Sequence, residues 1–147
     1  MNQILMAVCF ILAVASCKKE KSENNPLSEK AELLTSKEWV AQKVEEREGN
    51  GIWEDVFPHF DACLKDNRFK FNIDFTLVYS EGPLACAPNS PNQVLETQSW
   101  KFNTDGTVII TGGVENKILH LDANKLVVLI SETNAGVTTE TKNTFVR

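Results

Sequence analysis

His59, Asp61 and Cys63 alternate along PHFDAC, and these are the donor types that ligate zinc. No second cluster of such residues completes a tetrahedral set, so no metal and no cofactor are expected. The other histidine, His120, sits in the strand-like ILHL and reads as a surface or satisfied strand histidine rather than a catalytic base. Glu45–Glu46 and Glu54–Asp55 are adjacent pairs, which point apart on an extended chain and do not make a paired-acid site. GxSxG, HExxH and the phosphate-binding loop motif are all missing. The chain is therefore not expected to be an enzyme, and its chemistry narrows to four cysteines, Cys9, Cys17, Cys63 and Cys86.

Position sorts those cysteines. Ile4 to Ala15 is an unbroken apolar run. As a helix it would extend about 18 Å against a bilayer core of about 30 Å, which suits a secretion signal and not a membrane span. Small residues lead into Cys17 in the stretch VASC, which reads as a lipobox. Here the sequence resembles bacterial lipoproteins, although MNQ lacks their usual Lys or Arg. The resemblance implies a signal peptide over residues 1–16 and a mature chain whose first residue, Cys17, carries a diacylglyceryl group. It further implies that a lipid anchor joins the protein to the outer membrane of the cell envelope. KKEKSENNP then reads as a charged, solvated tether, residues 17–26, ahead of one domain at 27–147. Cys63 and Cys86 remain as an even pair, expected as a disulfide in an oxidising compartment. Closing a loop of about 24 residues would stabilise the fold by roughly 3 kcal/mol.

Removing residues 1–16 removes no charged side chain, so the mature chain keeps the formal net charge of -5. Without a basic stripe to neutralise phosphates, a nucleic-acid partner is not expected.

What positions these residues is a run of short strands. A helix is expected from Ser28, as N-cap, to Thr35, with Leu27, Ala31 and Leu34 at helical spacing. Alternating patterns then place strands at 38–47, 56–57, 68–72, 75–80, 94–103, 107–111, 117–121, 125–132 and 137–146. EGNG, EGPLACAPNSPN, NTDG, GGVEN, LDAN and TNAG separate them with turn residues. Sequential strands without long helices between them make an antiparallel meander, and about eight with an aromatic inner face close into an up-and-down barrel, an all-β fold. KFNIDFTLVY from Lys70 and KFNTDGTVII from Lys101 repeat one hairpin device. Gly106 takes the turn position that favours positive φ, whereas the first copy has Phe75 there and calls for a wider or strained turn. On the last strand Asn143 and Phe145 share the inward, uncharged face. In LVVLI, Leu126, Val128 and Ile130 face one way and Val127 and Leu129 the other, so the helix near Leu34 is expected to cover the outer side.

With these residues in place, the chain from about Leu33 to Arg147 resembles the lipocalin-like lipoproteins of Bacteroidetes-type bacteria. The likeness is carried by CLKDNRFKF with Cys63, Asp66, Asn67 and Phe71, by Cys86 after the hairpin, and by Trp100-x-Phe102. The turn Asp105-Gly106-Thr107 and the opening LTSKEW with Trp39 also match, while Lys37 stands where a glycine is common. The resemblance implies a lipocalin-like barrel in which an arginine from the last strand covers the tryptophan of the first. Here that pair would be Arg147 over Trp39.

Two readings of the interior stand. In one, the barrel holds a small, mainly apolar molecule under the EGPLACAPNSPN loop, lined by Trp39, Phe71, Tyr79, Trp100 and Phe145. In the other those side chains fill the barrel, and the protein is an interaction or structural module of the envelope that meets a protein or glycan. Trp53, beside a Gly-rich turn, is the feature that favours the second.

Overall fold

The computed structural model describes residues 26–147. The apolar run, Cys17 and the tether up to residue 25 lie outside the described residues. Helix α1 spans Pro26–Thr35 and is followed by strand β1, Trp39–Glu48, and the short β2, Glu54–Asp55. A 3-10 turn, Phe57–His59, and a one-turn helix α2, Ala62–Lys65, lead to β3, Arg68–Phe71, and β4, Thr76–Ser80. The remaining strands are β5 Val94–Phe102, β6 Val108–Thr111, β7 Val114–Leu121, β8 Lys125–Asn134 and β9 Val137–Val146.

Neighbouring strands pair antiparallel in sequence order, and β9 returns to β1 from Val40↔Val146 to Glu48↔Thr139. The sheet is thus closed into an eight-stranded barrel with one short strand, β2, laid beside β1. Closure leaves neither β1 nor β9 with a free edge on the side where they meet, so no row of unpaired backbone groups is exposed there.

The wall is uneven in height, and this matters for the interior. β1, β8 and β9 are each 10 residues long, whereas β3 has 4 and β4 has 5. β3 pairs with β1 only at Trp39↔Phe69 and Val40↔Arg68, and β2 meets the same strand higher up at Glu45↔Asp55. Between those two contacts the chain from Val56 to Asn67 completes the wall. Its first anchor is the Val56 N–H, which donates to the Val44 carbonyl at 2.9 Å. The strand expected at 56–57 is not formed: Pro58 fixes φ and has no N–H for a ladder, so Phe57 opens the 3-10 turn instead.

Leu34, Trp39, Phe71, Leu77, Trp100, Ile109, Leu126 and Val128 form one buried cluster. α1 closes the end of the barrel beneath it. Lys30 Nζ donates to the Gly106 carbonyl at 2.6 Å, and Lys70 Nζ reaches the Thr35 carbonyl at 3.4 Å. The helix therefore plugs the base instead of covering the outer face of LVVLI, where Val127 and Leu129 stay half-buried. Ser28 is inside the first turn rather than at the N-cap, because the helix starts at Pro26, whose fixed φ suits a first helical position.

The repeated hairpins are alike in chemistry. Asp74 accepts from the Thr76 hydroxyl (2.6 Å) and N–H (3.1 Å), and Asp105 accepts from the same groups of Thr107 at 2.6 and 3.0 Å. These bonds hold both carboxyls below their ordinary pKa. Phe75 takes φ 65° and Gly106 φ 67°, so the first copy is the strained version of the same turn and not a wider one. The Phe75 ring rests against Trp100, with centroids 5.4 Å apart, which compensates part of that strain.

Candidate functional site: a cavity inside the barrel

Above the buried cluster the barrel holds a cavity of about 400 Å³. It is lined by the buried Trp39, Phe71, Leu77, Ile109 and Leu126 and, among others, by Val44, Tyr79, Ile130, Asn143 and Phe145. The strand register explains the arrangement: Val44 pairs with Asn143, Phe145 with Leu126, and Tyr79 with Phe69, so each pair points to the same side of the sheet. Phe69 stacks on Tyr79 (centroids 4.9 Å) and meets Phe145 edge-on at 5.1 Å. The volume lies in the range of small-molecule sites.

Of the five expected lining residues, the structure brings Trp39, Phe71, Tyr79 and Phe145 to the cavity. Trp100 does not reach it. Its indole N–H donates to the Asn72 carbonyl at 3.0 Å, and the rings of Phe71, Phe75 and Phe102 surround it, so it belongs to the packed base. The roof also differs from expectation. No residue of EGPLACAPNSPN lines the cavity; Phe57, Phe60 and Leu64 cover it from the segment that completes the wall. Phe60 and Leu64 are the exposed members of the lining, at 37% and 42%, so one side chain separates the cavity from solvent there. Their spacing, Phe57-x-x-Phe60-x-x-x-Leu64, is that of one helical face, but Pro58 breaks the run and leaves it too short to be read as a helix.

The Pro-rich loop braces this roof from outside. Cys63 and Cys86 form a disulfide, with Cα atoms 5.2 Å apart. Asp66 Oδ2 accepts from the Leu84 N–H at 2.7 Å. Gly82 lies so close to the Asp66 carbonyl that a Cβ there would stand 2.2 Å away, which is why this position has no side chain. Glu81, 1% exposed, accepts from Asn89 Nδ2 at 2.7 Å and the Cys86 N–H at 3.3 Å. The Asn67 amide, in the orientation that pairs all its atoms, donates to Glu81 and to the Cys63 carbonyl, each at 3.0 Å, and accepts from the Tyr79 hydroxyl at 2.6 Å. A cavity-lining ring is thereby tied to both the roof and its brace.

At the base, Arg147 lies over Trp39 with its guanidinium carbon 4.0 Å from the ring, the expected pair. It donates to the carbonyls of Ala123 and Leu33, while Trp39 Nε1 donates to the Leu34 carbonyl at 2.9 Å. Burial lowers the Arg147 pKa from its ordinary value, and the nearby Asp122 charge opposes that shift.

Among the described residues no group of three or more His, Cys, Asp or Glu is placed to hold a metal ion. Cys63 is held in its disulfide, and His59 and Asp61 are exposed beside it. His120 is exposed and pairs with Asp122 at 2.7 Å. Trp53 is half-buried on the outer wall, between the Arg47 guanidinium (4.5 Å) and Lys142 Nζ (4.4 Å).

No family model matches this chain, and no curated protein matches it either. Among solved structures it is similar to bovine odorant binding protein in complex with a selenium-containing odorant. The two share 17% identity with a TM-score of 0.41 over 88% of this chain and 76% of that one. The closed antiparallel barrel with its helix-plugged base is lipocalin-like in architecture.

Proposed function

We propose that this protein is a lipid-anchored, lipocalin-like lipoprotein of the kind found in Bacteroidetes-type bacteria, held in the cell envelope by Cys17 and binding a small, mainly apolar molecule inside its barrel. The observation that carries the reading is the 400 Å³ cavity, walled largely by aliphatic and aromatic side chains. A barrel that served only as an outer surface would need no such volume, and filling it with larger residues would add packing. The half-buried, cation-flanked Trp53 gives the alternative of a filled interaction module little support. The cavity lining contains no His, Cys, Asp, Glu, Lys or Arg, the side chains that most often carry proton transfer or nucleophilic attack, which favours binding over catalysis.

The test uses the full chain with Cys17→Ser, refolded with its disulfide formed so that no detergent competes for the interior. N-phenyl-1-naphthylamine, an uncharged fluorescent probe, is expected to bind one per chain. Ile130→Trp, which fills the cavity, should abolish binding while leaving the circular dichroism of the barrel intact. No binding by the parent chain, or equal binding by the filled variant, would refute the reading. Anchoring is tested separately in cells: labelled fatty acid should enter the native chain and not the Cys17→Ser chain.

A further inference from the structure

The cations of the barrel strands stand on the outer face of the wall. The register puts Lys43, Arg47 and Lys142 of β1 and β9 on the outer face, opposite in sense to the cavity-lining Val44, Asn143 and Phe145. Arg68 and Lys70 on β3, and Lys101 on β5, alternate with inward aromatic residues and also face out. Lys117 and Lys125 pair with outward Leu129 and Val146, and His120 with outward Val127. Carboxylates stand on both faces: Glu45 and Glu140 pair with Lys142 and Arg47 outside, and three others face in. Glu46 pairs with Thr141 and Glu132 with Thr139, on the side that Asn143 and Ile130 occupy one pleat below; Glu96 pairs with the cavity-lining Tyr79. All three are exposed, on the inner faces of their strands toward the mouth.

Inside, the polar atoms are neutral. Asn116 Nδ2 is shared among the Ile109 carbonyl (3.1 Å), the Thr111 hydroxyl oxygen (3.0 Å) and the Val114 carbonyl (3.0 Å), which leaves its own Oδ1 as an acceptor. Thr111, accepting from Asn116, has its hydroxyl proton to donate. The Asn143 side chain lines the cavity and makes no hydrogen bond among the described residues, so it offers both a donor and an acceptor.

We propose that the cavity selects an uncharged ligand: a mainly apolar molecule bearing a hydroxyl, carbonyl or amide group, with carboxylate-bearing molecules such as fatty acids excluded. This rests on the binding function proposed above and names its ligand class. An ionised carboxylate entering here would give up its hydration, find no cation inside, and pass inward-facing glutamates. A neutral hydroxyl or amide would instead satisfy the Asn143 amide at little desolvation cost.

The experiment displaces N-phenyl-1-naphthylamine from the refolded Cys17→Ser chain with 1-decanol or decanoate at pH 8. Decanol is expected to act at a concentration at least tenfold lower, and decanoate acting as well or better overturns the proposal. Since an ionised head is disfavoured by any apolar pocket, Asn143→Lys adds the specific arm. A cation on the inner face should raise decanoate affinity at least tenfold, and a folded variant with unchanged preference is also a refutation. Asn143→Leu, which stands in if the lysine variant does not fold, should weaken decanol about threefold to tenfold while leaving the probe bound. Failure of the probe to bind the parent chain would instead remove the binding function itself.

Discussion

The two ends of the barrel are closed by different means. At the base, α1, Trp39 and Arg147 seal the interior with packed rings and short hydrogen bonds, and Leu34 and Trp39 are fully buried. At the mouth, a segment with no strand of its own lies between β1 and β3, and its contacts run outward to a Pro-rich loop through a disulfide and a few polar bonds. Packing sets the stability of the first end and a covalent staple that of the second. The proposed binding would need this asymmetry, since one end must hold the fold while the other lets a ligand pass.

The largest expected effect lies at the base. Trp39→Ala removes a fully buried ring, its hydrogen bond to Leu34 and the surface on which Arg147 rests. Loss of a buried aromatic side chain costs about 3–5 kcal/mol. Urea unfolding should show that loss, and a change under about 1 kcal/mol would mean the base does not carry the fold.

Second comes the staple. Replacing both Cys63 and Cys86 with Ser should lower stability by about 3 kcal/mol. Its local signature is more telling than its size. Hydrogen exchange should rise across residues 57–67 and 81–92 while α1 and the start of β1 keep their protection; uniform loosening of both ends would erase the contrast between them.

How far the sequence discloses each end follows from the same contrast. Part of the base was legible: the Lys-Phe-Asn hairpins repeat, and the Arg147–Trp39 pair came with the lipocalin resemblance. By contrast, α1 was expected over the outer face of LVVLI, because its few apolar positions do not say which surface they meet. The cysteine pairing was also legible, from parity and compartment. The roof was not, because Pro58 interrupts Phe57, Phe60 and Leu64 and hides their common face in a run too short for a helical pattern. Trp100 misled for another reason. Its parity marks the inward face correctly, yet a ring that large leans along the strand, and the Asn72 carbonyl draws it to the base below the cavity. Strand parity gives the face a side chain points to, and not the height at which it ends.

A smaller effect is expected from Arg147→Ala, which removes the stack on Trp39 and the bonds to Ala123 and Leu33. About 2 kcal/mol should be lost, by the scale of a partly desolvated cation–π contact. Arg147→Lys should recover under half of this, because an ammonium has neither the flat face nor the fork that reaches two carbonyls. Full recovery would reduce the contact to simple charge.

The smallest expected effect concerns acid. Asp122 accepts from the N–H groups of Asn124 (2.7 Å) and Lys125 (2.8 Å) and from His120, which together lower its pKa from an ordinary 3.8 to about 2. The folded value lies below the unfolded one, so the stabilising contribution is fully present above about pH 4 and is lost as pH falls through 2. Protonation removes the acceptor that shapes the turn, and the next residue, Ala123, supplies the carbonyl held by Arg147. Acid should therefore loosen the base through this turn before any packed residue moves. An NMR titration of the Asp122 carboxyl should find its midpoint near pH 2, and Asp122→Asn should flatten the stability profile between pH 4 and 2. A midpoint near 4 would mean that the turn does not hold the carboxylate, and that Arg147 and Trp39 close the base without its help.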